Sequence, residues 1–176
     1  KKAWESLDIE PILFLVTNKD ITDLDCKIFH IDKINDVFTA QNLRLLVPSL
    51  YPEDVCMISD IDMMPLSRKY FLDSISNIEN DKFVIFRSDA TPDNMLPICW
   101  NSALGRTWGE IFSVNSIDEI KNTLIQWYPK KYKPFKKNWY LDQIQLRNHL
   151  NNYEKKESRR VVYFTDEELN FKRLNR

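Results

Sequence analysis

Short apolar runs recur along the chain and predict β-strands. Each run is bounded by Pro, Asn, Asp or Ser and is rich in Val, Ile and Phe, as strands are. The runs occupy residues 11–18, 26–31, 55–59, 82–88 and 160–165. The first, PILFLVTN, is continuously apolar, which is typical of a strand buried on both faces.

Amphipathic stretches between these runs predict helices. Near residues 36–50, Val37, Leu43 and Leu46 can share one face with Val47 and Leu50. Further helices are predicted at residues 66–77, 117–128 and 138–150, and the opening KKAWESL is typical of a helix end. This alternation predicts an α/β fold with a mainly parallel sheet flanked by helices. No repeat or linker divides the chain, so we expect one domain over residues 1–176, and its opening inside a helix indicates a fragment.

Composition narrows the class of protein. No apolar run reaches the roughly 18 to 20 residues that cross a bilayer, and KKAWESLDIE has no signal-peptide core, so we expect no membrane span. Cys26, Cys56 and Cys99 are odd in number and lack CxxC spacing, which favours reduced thiols and a cytoplasmic location. The two glycines, Gly105 and Gly109, exclude GxGxxG and Walker A loops.

Charge is unevenly divided between the two halves of the chain. Residues 1–95 hold 17 acidic and 10 basic side chains, whereas residues 96–176 hold 9 and 15. Much of the positive charge lies in WYPKKYKPFKKNWY, residues 127–140, which predicts either a solvated loop or a loop that closes over an anionic ligand. The segment is short and no nucleic-acid motif accompanies it, so we expect no nucleic-acid partner.

Two carboxylates, Asp60 and Asp62, directly follow the apolar run VCMIS. In open α/β sheets, ligands bind beyond the carboxyl ends of the strands. Two carboxylates this close repel each other unless one is protonated or a cation lies between them. Mg²⁺ and Mn²⁺ prefer such oxygen ligands and complete their shells with substrate phosphates. The pattern therefore predicts a metal-diphosphate site, with capping of the following helix as the alternative.

The stretch NLRLLVPSLYPEDVCMISDIDMMPL, residues 42–66, resembles the DxD region of GT-A glycosyltransferases, notably the glycogenin and bacterial galactosyltransferase type. CWNSAL, residues 99–104, is similar to their Asn-Ser-Gly stretch with Ala103 in place of the glycine, and YLDQIQL, residues 140–146, is similar to their Asp-Gln helix start. The resemblance covers about residues 11–150. It implies a GT-A, Rossmann-like fold that lacks its first strand in this chain. Their C-terminal His-x-Gly-x-x-Lys segment has no counterpart, because the chain ends in FKRLNR.

The resemblance also implies an activity, a hexosyltransferase reaction. A sugar would pass from a nucleoside diphosphate sugar, expected to be a UDP-sugar, to a hydroxyl of a saccharide or protein-linked glycan. Asp62 would bind Mn²⁺ or Mg²⁺ directly, and Asp60 would reach the ribose or the ion through water. Asp142 would orient a sugar or act as general base. The other implied substrate contacts are Arg44, Asn101, Ser102, Trp139 and Gln143.

Alternative interpretations exist for these residues and for the whole chain. Arg44 could be a surface helix residue, Asp142 a charge at a helix N-terminus, and Trp100, Trp108 and Trp139 either core residues or rings that stack on a sugar. A haloacid-dehalogenase-type phosphatase also ends a strand with DxD, but it has Thr or Val at the position of Met64. A non-catalytic binding module would use the carboxylates as caps and the lysine segment to recruit an anionic partner.

Overall fold

The computed structural model describes residues 1–136 and 138–170, along which helices and strands are interspersed. Lys137 and residues 171–176, including the FKRLNR ending, lie outside them. The helices are α1 (Lys2–Glu5), α2 (Asp36–Leu43), α3 (Arg68–Phe71), α4 (Gly105–Phe112), α5 (Ile117–Trp127) and α6 (Leu141–Glu154). The strands are β1 (Phe14–Val16), β2 (Lys27–Phe29), β3 (Val55–Met57), β4 (Phe83–Ile85), β5 (Ser102–Leu104) and β6 (Val161–Tyr163). The predicted α/β class is confirmed.

The strands form two sheets instead of one mainly parallel sheet. β1 and β2 pair in parallel, and a separate sheet has the order β3-β5-β4-β6. β4 and β6 are parallel, but β5 runs antiparallel to both of its neighbours, so this sheet is mixed. The reason lies in the connection from β4 to β5, residues 86–101, which contains no helix. A parallel pair would need a crossover, commonly helical, whereas adjacent antiparallel strands do not.

The helix predicted over residues 36–50 is shorter in the structure. Asn35 caps α2 by accepting the Val37 N–H at 3.0 Å, and the helix ends at Leu43. A 3₁₀ turn, Val47–Leu50, follows. Its Pro48 has no N–H to donate and disfavours helical geometry at the residue before it. As a result, Arg44 lies at the C-terminal end of α2 rather than within a helix.

The helix predicted over residues 66–77 is also reduced. Ser67 caps the short α3, and a 3₁₀ turn, Asp73–Ile75, takes the place of further helical turns. The Ser74 hydroxyl donates to the Tyr70 carbonyl at 2.5 Å. Such local side-chain bonds compete with the regular helical pattern, which explains the early end of α3.

α5 lies within the range that the sequence predicts, whereas α6 runs from Leu141 to Glu154 instead of over residues 138–150. Their apolar faces are buried through Ile120 and Leu124 in α5 and through Leu146 and Leu150 in α6. Both helices pack on α2, and α6 also contacts α4. None of the helices within the described residues has both the length and the apolar character that a bilayer span requires.

Residues 102–112 form β5 and α4, for which the sequence analysis made no prediction. Gly105 begins α4, which packs against the 3₁₀ turn Val47–Leu50. A Cβ atom at Gly105 would overlap the carbonyl oxygen of Tyr51, so only glycine fits this contact. The contact of Gly105 with Tyr51 fixes the segment that leads into β3. It therefore fixes the strand that the two carboxylates follow.

Candidate functional site

The carboxyl end of β3 opens into a groove of about 1260 Å³. Its lining includes β1, β3 and the residues that follow β3. It brings together most of the predicted site residues, which come from three separate parts of the chain. They are Arg44, Asp60, Asp62, Trp139, Asp142 and Gln143.

Arg44 bridges two carboxylates at the base of this groove. Its Nη1 donates to Asp60 Oδ1, and its Nη2 donates to Asp142 Oδ2 at 2.6 Å. Its Nε donates to the Gln41 carbonyl at 3.0 Å, which holds the guanidinium plane in place. The Arg44 side chain is only 21% exposed. The alternative interpretation of Arg44 as a free surface residue is therefore wrong.

Asp142 is almost completely buried, with a side-chain exposure of 1%. Its Oδ1 accepts the backbone N–H of Gln143 at 2.9 Å in the first turn of α6. Burial raises the pKa of Asp142, and although Arg44 opposes this effect, the pKa stays above its usual range. The two carboxylates in turn keep the pKa of Arg44 above its usual range, against the opposite effect of burial.

A β-bulge beside the site brings Cys99 to Asp60. Ile58 donates its N–H to the Asn101 carbonyl at 3.1 Å and accepts the Trp100 N–H at 2.6 Å, so two residues face one. Trp100 has a φ of 70°, in the left-handed region that a bulged residue can adopt. Beyond the bulge, the Cys99 thiol donates to Asp60 Oδ2 at 2.5 Å. Sequence reasoning missed this contact, because it depends on the bulge.

We expect the Cys99 thiol to resist alkylation in the folded protein. Burial and the neighbouring Asp60 raise its pKa to about 12, and the thiolate is the form that reacts. Iodoacetamide at neutral pH should therefore leave Cys99 unmodified until urea unfolds the chain, as peptide mass spectrometry can show. Equal rates of modification in the folded and unfolded protein would contradict the contact with Asp60.

Asp62 differs from Asp60 in being exposed to solvent at the mouth of the groove. Carboxylate oxygens are ligands that Mg²⁺ commonly takes, one or two at a time, together with water and substrate phosphates. Within residues 1–136 and 138–170, no group of three or more His, Cys, Asp or Glu side chains could hold a metal ion. Asp62 has the more accessible oxygens, and Asp60 keeps free lone pairs beside its two donors.

Asn101 and Ser102 lie away from the groove, inside the four-stranded sheet. Asn101 is fully buried, and its side-chain Nδ2 donates to the Pro97 carbonyl at 2.7 Å. Ser102 is the first residue of β5 and faces Met57 across the ladder. The structure therefore does not bring these two side chains to Asp60, although the Asn101 carbonyl supports the end of β3.

Trp100 and Trp108, two of the three tryptophans that could stack on a sugar, belong to the core. Trp108 is fully buried in α4 and packs edge-on against Phe83. Trp100 is buried against Phe71 in the same geometry. A stacking role for Trp100 or Trp108 is therefore wrong, whereas Trp139 is half-buried and lines the groove.

The lysine-rich segment is anchored beside the groove through α2. The Tyr132 hydroxyl donates to Gln41 Oε1 at 3.0 Å, and Gln41 Nε2 donates to the Trp139 carbonyl at 2.7 Å. The exposed Phe135 stacks on Trp139 with ring centres 4.3 Å apart. The segment is thus connected through Gln41 to Arg44, which is the partner of Asp60, because the Gln41 carbonyl also accepts the Nε–H of Arg44.

Comparisons of the chain with family models, with characterised proteins and with solved structures find no match.

Proposed function

We propose that the chain is a metal-dependent glycosyltransferase of the GT-A type. It would transfer a sugar from a nucleoside diphosphate sugar, most simply a UDP-sugar, to a hydroxyl of a saccharide or protein-linked glycan. The observation that supports this proposal best is the meeting of Asp60 and Asp62 with Arg44 in one groove. Such a site combines carboxylates for a cation with a fixed positive charge for a diphosphate.

The cation, Mn²⁺ or Mg²⁺, would be held by Asp62 and Asp60 and would stabilise the charge that develops on the departing diphosphate. Arg44 would add a second positive charge, already oriented by its three acceptors before the donor binds. A preorganised charge needs no rearrangement during the reaction, which is why such groups contribute strongly to catalysis.

Asp142 would contribute to the reaction in two ways. It holds the Arg44 guanidinium through a charge-assisted hydrogen bond. Its raised pKa also suits a group that takes a proton from an acceptor hydroxyl or orients a sugar. Trp139 and Gln143 line the same groove and would contact the donor or the acceptor.

The lysine-aromatic segment, residues 128–140, would close over the bound donor. It carries the described lysines Lys130, Lys131, Lys133 and Lys136, and its contacts with Gln41 connect it to Arg44. Lys137 belongs to the same segment but lies outside the described residues. Closure would exclude water, which otherwise hydrolyses an activated donor.

A thermal-shift panel tests this function. UDP-, GDP- and TDP-sugars are each added with and without Mn²⁺, and the midpoint of unfolding is measured. We expect one class of donor to stabilise the protein only together with the metal, by about 2.7 kcal/mol at a concentration 100 times its Kd. Hydrogen exchange across residues 128–140 should slow under the same combined condition if the segment closes.

The other outcomes separate the rival functions. Phosphorylation of Asp60 by a phosphate ester would support a haloacid-dehalogenase-type phosphatase and overturn the proposal. A chain that responds to no donor, with or without Mn²⁺, and takes no phosphoryl group would be a binding module.

A further inference from the structure

Gln41 contacts two of the predicted substrate-binding residues at once. Its side-chain Nε2 donates to the Trp139 carbonyl at 2.7 Å, and its own backbone carbonyl accepts the Nε–H of Arg44 at 3.0 Å. All three residues line the groove. The first contact joins residues 98 positions apart in sequence, so it is formed only by the fold. Gln41 therefore connects two parts of the candidate site that are distant in sequence.

A second contact lies about one turn further along α2. Arg44 follows Gln41 by three positions and donates from Nη2 to Asp142 Oδ2 at 2.6 Å, and Asp142 likewise follows Trp139 by three positions. Residues three apart along a helix are near neighbours on its surface. Together, the contacts Gln41–Trp139 and Arg44–Asp142 join the C-terminal end of α2 to the turn and first residues of α6. We name these two contacts the α2–α6 clamp.

The contacts around Gln41 require an amide side chain. The Trp139 carbonyl can only accept, so the NH₂ group of Gln41 must face it, and the amide oxygen is left to accept from another donor. The Tyr132 hydroxyl is that donor, at 3.0 Å from Gln41 Oε1. A carboxylate at this position could not donate to Trp139, and an apolar side chain could form neither bond. Gln41 thus holds both ends of the loop over residues 132–139.

Aromatic packing on α2 supports the same end of the loop. The ring of Phe38, which is fully buried, meets the rings of Tyr128 and Tyr132 edge-on, with ring centres 5.0 and 5.4 Å apart. Burial raises the pKa of Tyr132, and the charge of Asp142 raises it further, so the hydroxyl keeps the proton that it donates to Gln41. Packing and hydrogen bonding therefore fix Tyr132 on α2 together.

We propose that Gln41 is a positioning residue that holds the loop over residues 132–139 on α2 and thereby fixes Trp139 at the groove. Its role in catalysis rests on the proposed glycosyltransferase function, in which Trp139 would contact the donor or the acceptor. The clamp itself does not depend on that function. Without the amide of Gln41, Trp139 loses the hydrogen bond that fixes its backbone, so the substrate it contacts should bind less tightly. Arg44 keeps its bonds to Asp60 and Asp142, so the chemical step should change little.

Amide hydrogen exchange, followed by NMR on the chain without ligands, tests the hold of Gln41 on the loop. The probes are the N–H groups of Lys136 and Trp139, which bond within the loop to the carbonyls of Lys133 and Lys136 at 3.2 and 3.1 Å. We expect Gln41→Glu to speed their exchange by at least about tenfold. The matched control, Gln126→Glu, makes the same charge change at an exposed position of α5 outside the groove and should leave the exchange unchanged.

Tyr132→Phe is a milder variant, because it keeps the ring that packs on Phe38 and removes only the hydroxyl. It should speed exchange at the same two amides by a smaller factor than Gln41→Leu, which removes both bonds of the amide. In the double variant, the loss of the hydroxyl should add no further acceleration, since its acceptor is already absent. Additive effects of the two substitutions would overturn the assignment of both loop ends to one amide.

Steady-state kinetics separate a positioning role from a purely structural one. Gln41→Glu should raise KM for the donor or the acceptor by about tenfold, the upper scale for one hydrogen bond, and leave kcat within a factor of about two. A variant that merely folds poorly would instead lower the apparent kcat, because fewer molecules are active, and would leave KM unchanged. Gln126→Glu should match the unaltered chain in both constants.

The two measurements fail separately. Unchanged exchange in Gln41→Glu would overturn the hold of Gln41 on the loop, and faster exchange with an unchanged KM would overturn its positioning role. If the unaltered chain transfers no sugar from any donor, the glycosyltransferase proposal fails. The exchange rates alone then decide whether Gln41 fixes Trp139 and its loop.

Discussion

Asp62→Asn should abolish metal-dependent transfer or hydrolysis of the donor while leaving the fold intact. The substitution keeps the shape of the side chain but removes the charge that would bind the cation directly. In the proposed reaction the metal would stabilise the departing diphosphate, so its loss should lower kcat by about 100-fold or more, which is the usual scale for one strong transition-state contact. Asp62 is exposed, so stability should change by less than about 0.5 kcal/mol.

Steady-state rates across a range of Mn²⁺ concentrations check this prediction. Asp93→Asn is the matched control, since Asp93 is also exposed but lies in a turn outside the groove. Its rate should equal that of the unaltered chain. A variant Asp62→Asn with the same Mn²⁺ dependence and the same rate would remove Asp62 from the site.

Arg44→Met should destabilise the protein by about 3–5 kcal/mol. The substitution removes the partner of Asp142, which is 1% exposed, and leaves a buried charge without compensation. Methionine keeps most of the apolar contacts of the arginine stem, so the lost charge accounts for most of the effect. Urea unfolding, with the slope of the transition compared between variants, measures the change.

The double variant Arg44→Met with Asp142→Asn distinguishes a loss of stability caused by an unpaired buried carboxylate from one caused by lost packing of the arginine stem. Removing the buried carboxylate together with its partner should recover most of the lost stability, since no unpaired charge remains. A loss of less than about 0.5 kcal/mol in Arg44→Met alone would return Arg44 to the class of ordinary surface residues.

The part of the candidate site that directly follows β3 in sequence could be predicted, because the end of the strand fixes where those residues lie. The run VCMIS predicts a strand, so Asp60 and Asp62, which follow it directly, are expected at its carboxyl end. The structure has them there. The contact of Cys99 with Asp60 could not be predicted in this way. It depends on the bulge opposite Ile58, and a bulge arises from the pairing of two strands rather than from either one.

The predictions for Asn101 and Ser102 failed to anticipate their burial for a related reason. The resemblance of CWNSAL to an Asn-Ser-Gly stretch implied contacts with a substrate, whereas here Ser102 begins β5 and both residues are buried. Similarly, an apolar run predicted β1 as a strand buried on both faces, but its residues are half-exposed. Among the described strands β1 pairs with β2 alone, and no pattern within eight residues can report whether a second neighbouring strand is present.

The bridge through Arg44 has a consequence for the order of folding. Arg44 and Asp60 are 16 residues apart in sequence, but Arg44 and Asp142 are 98 apart. Closing the longer loop costs more chain entropy, and contacts between distant residues are slow to form. A folding chain can thus complete β3 and its carboxylates before α6 docks. We expect Arg44 to gain its contact with Asp142 later in folding than its contact with Asp60.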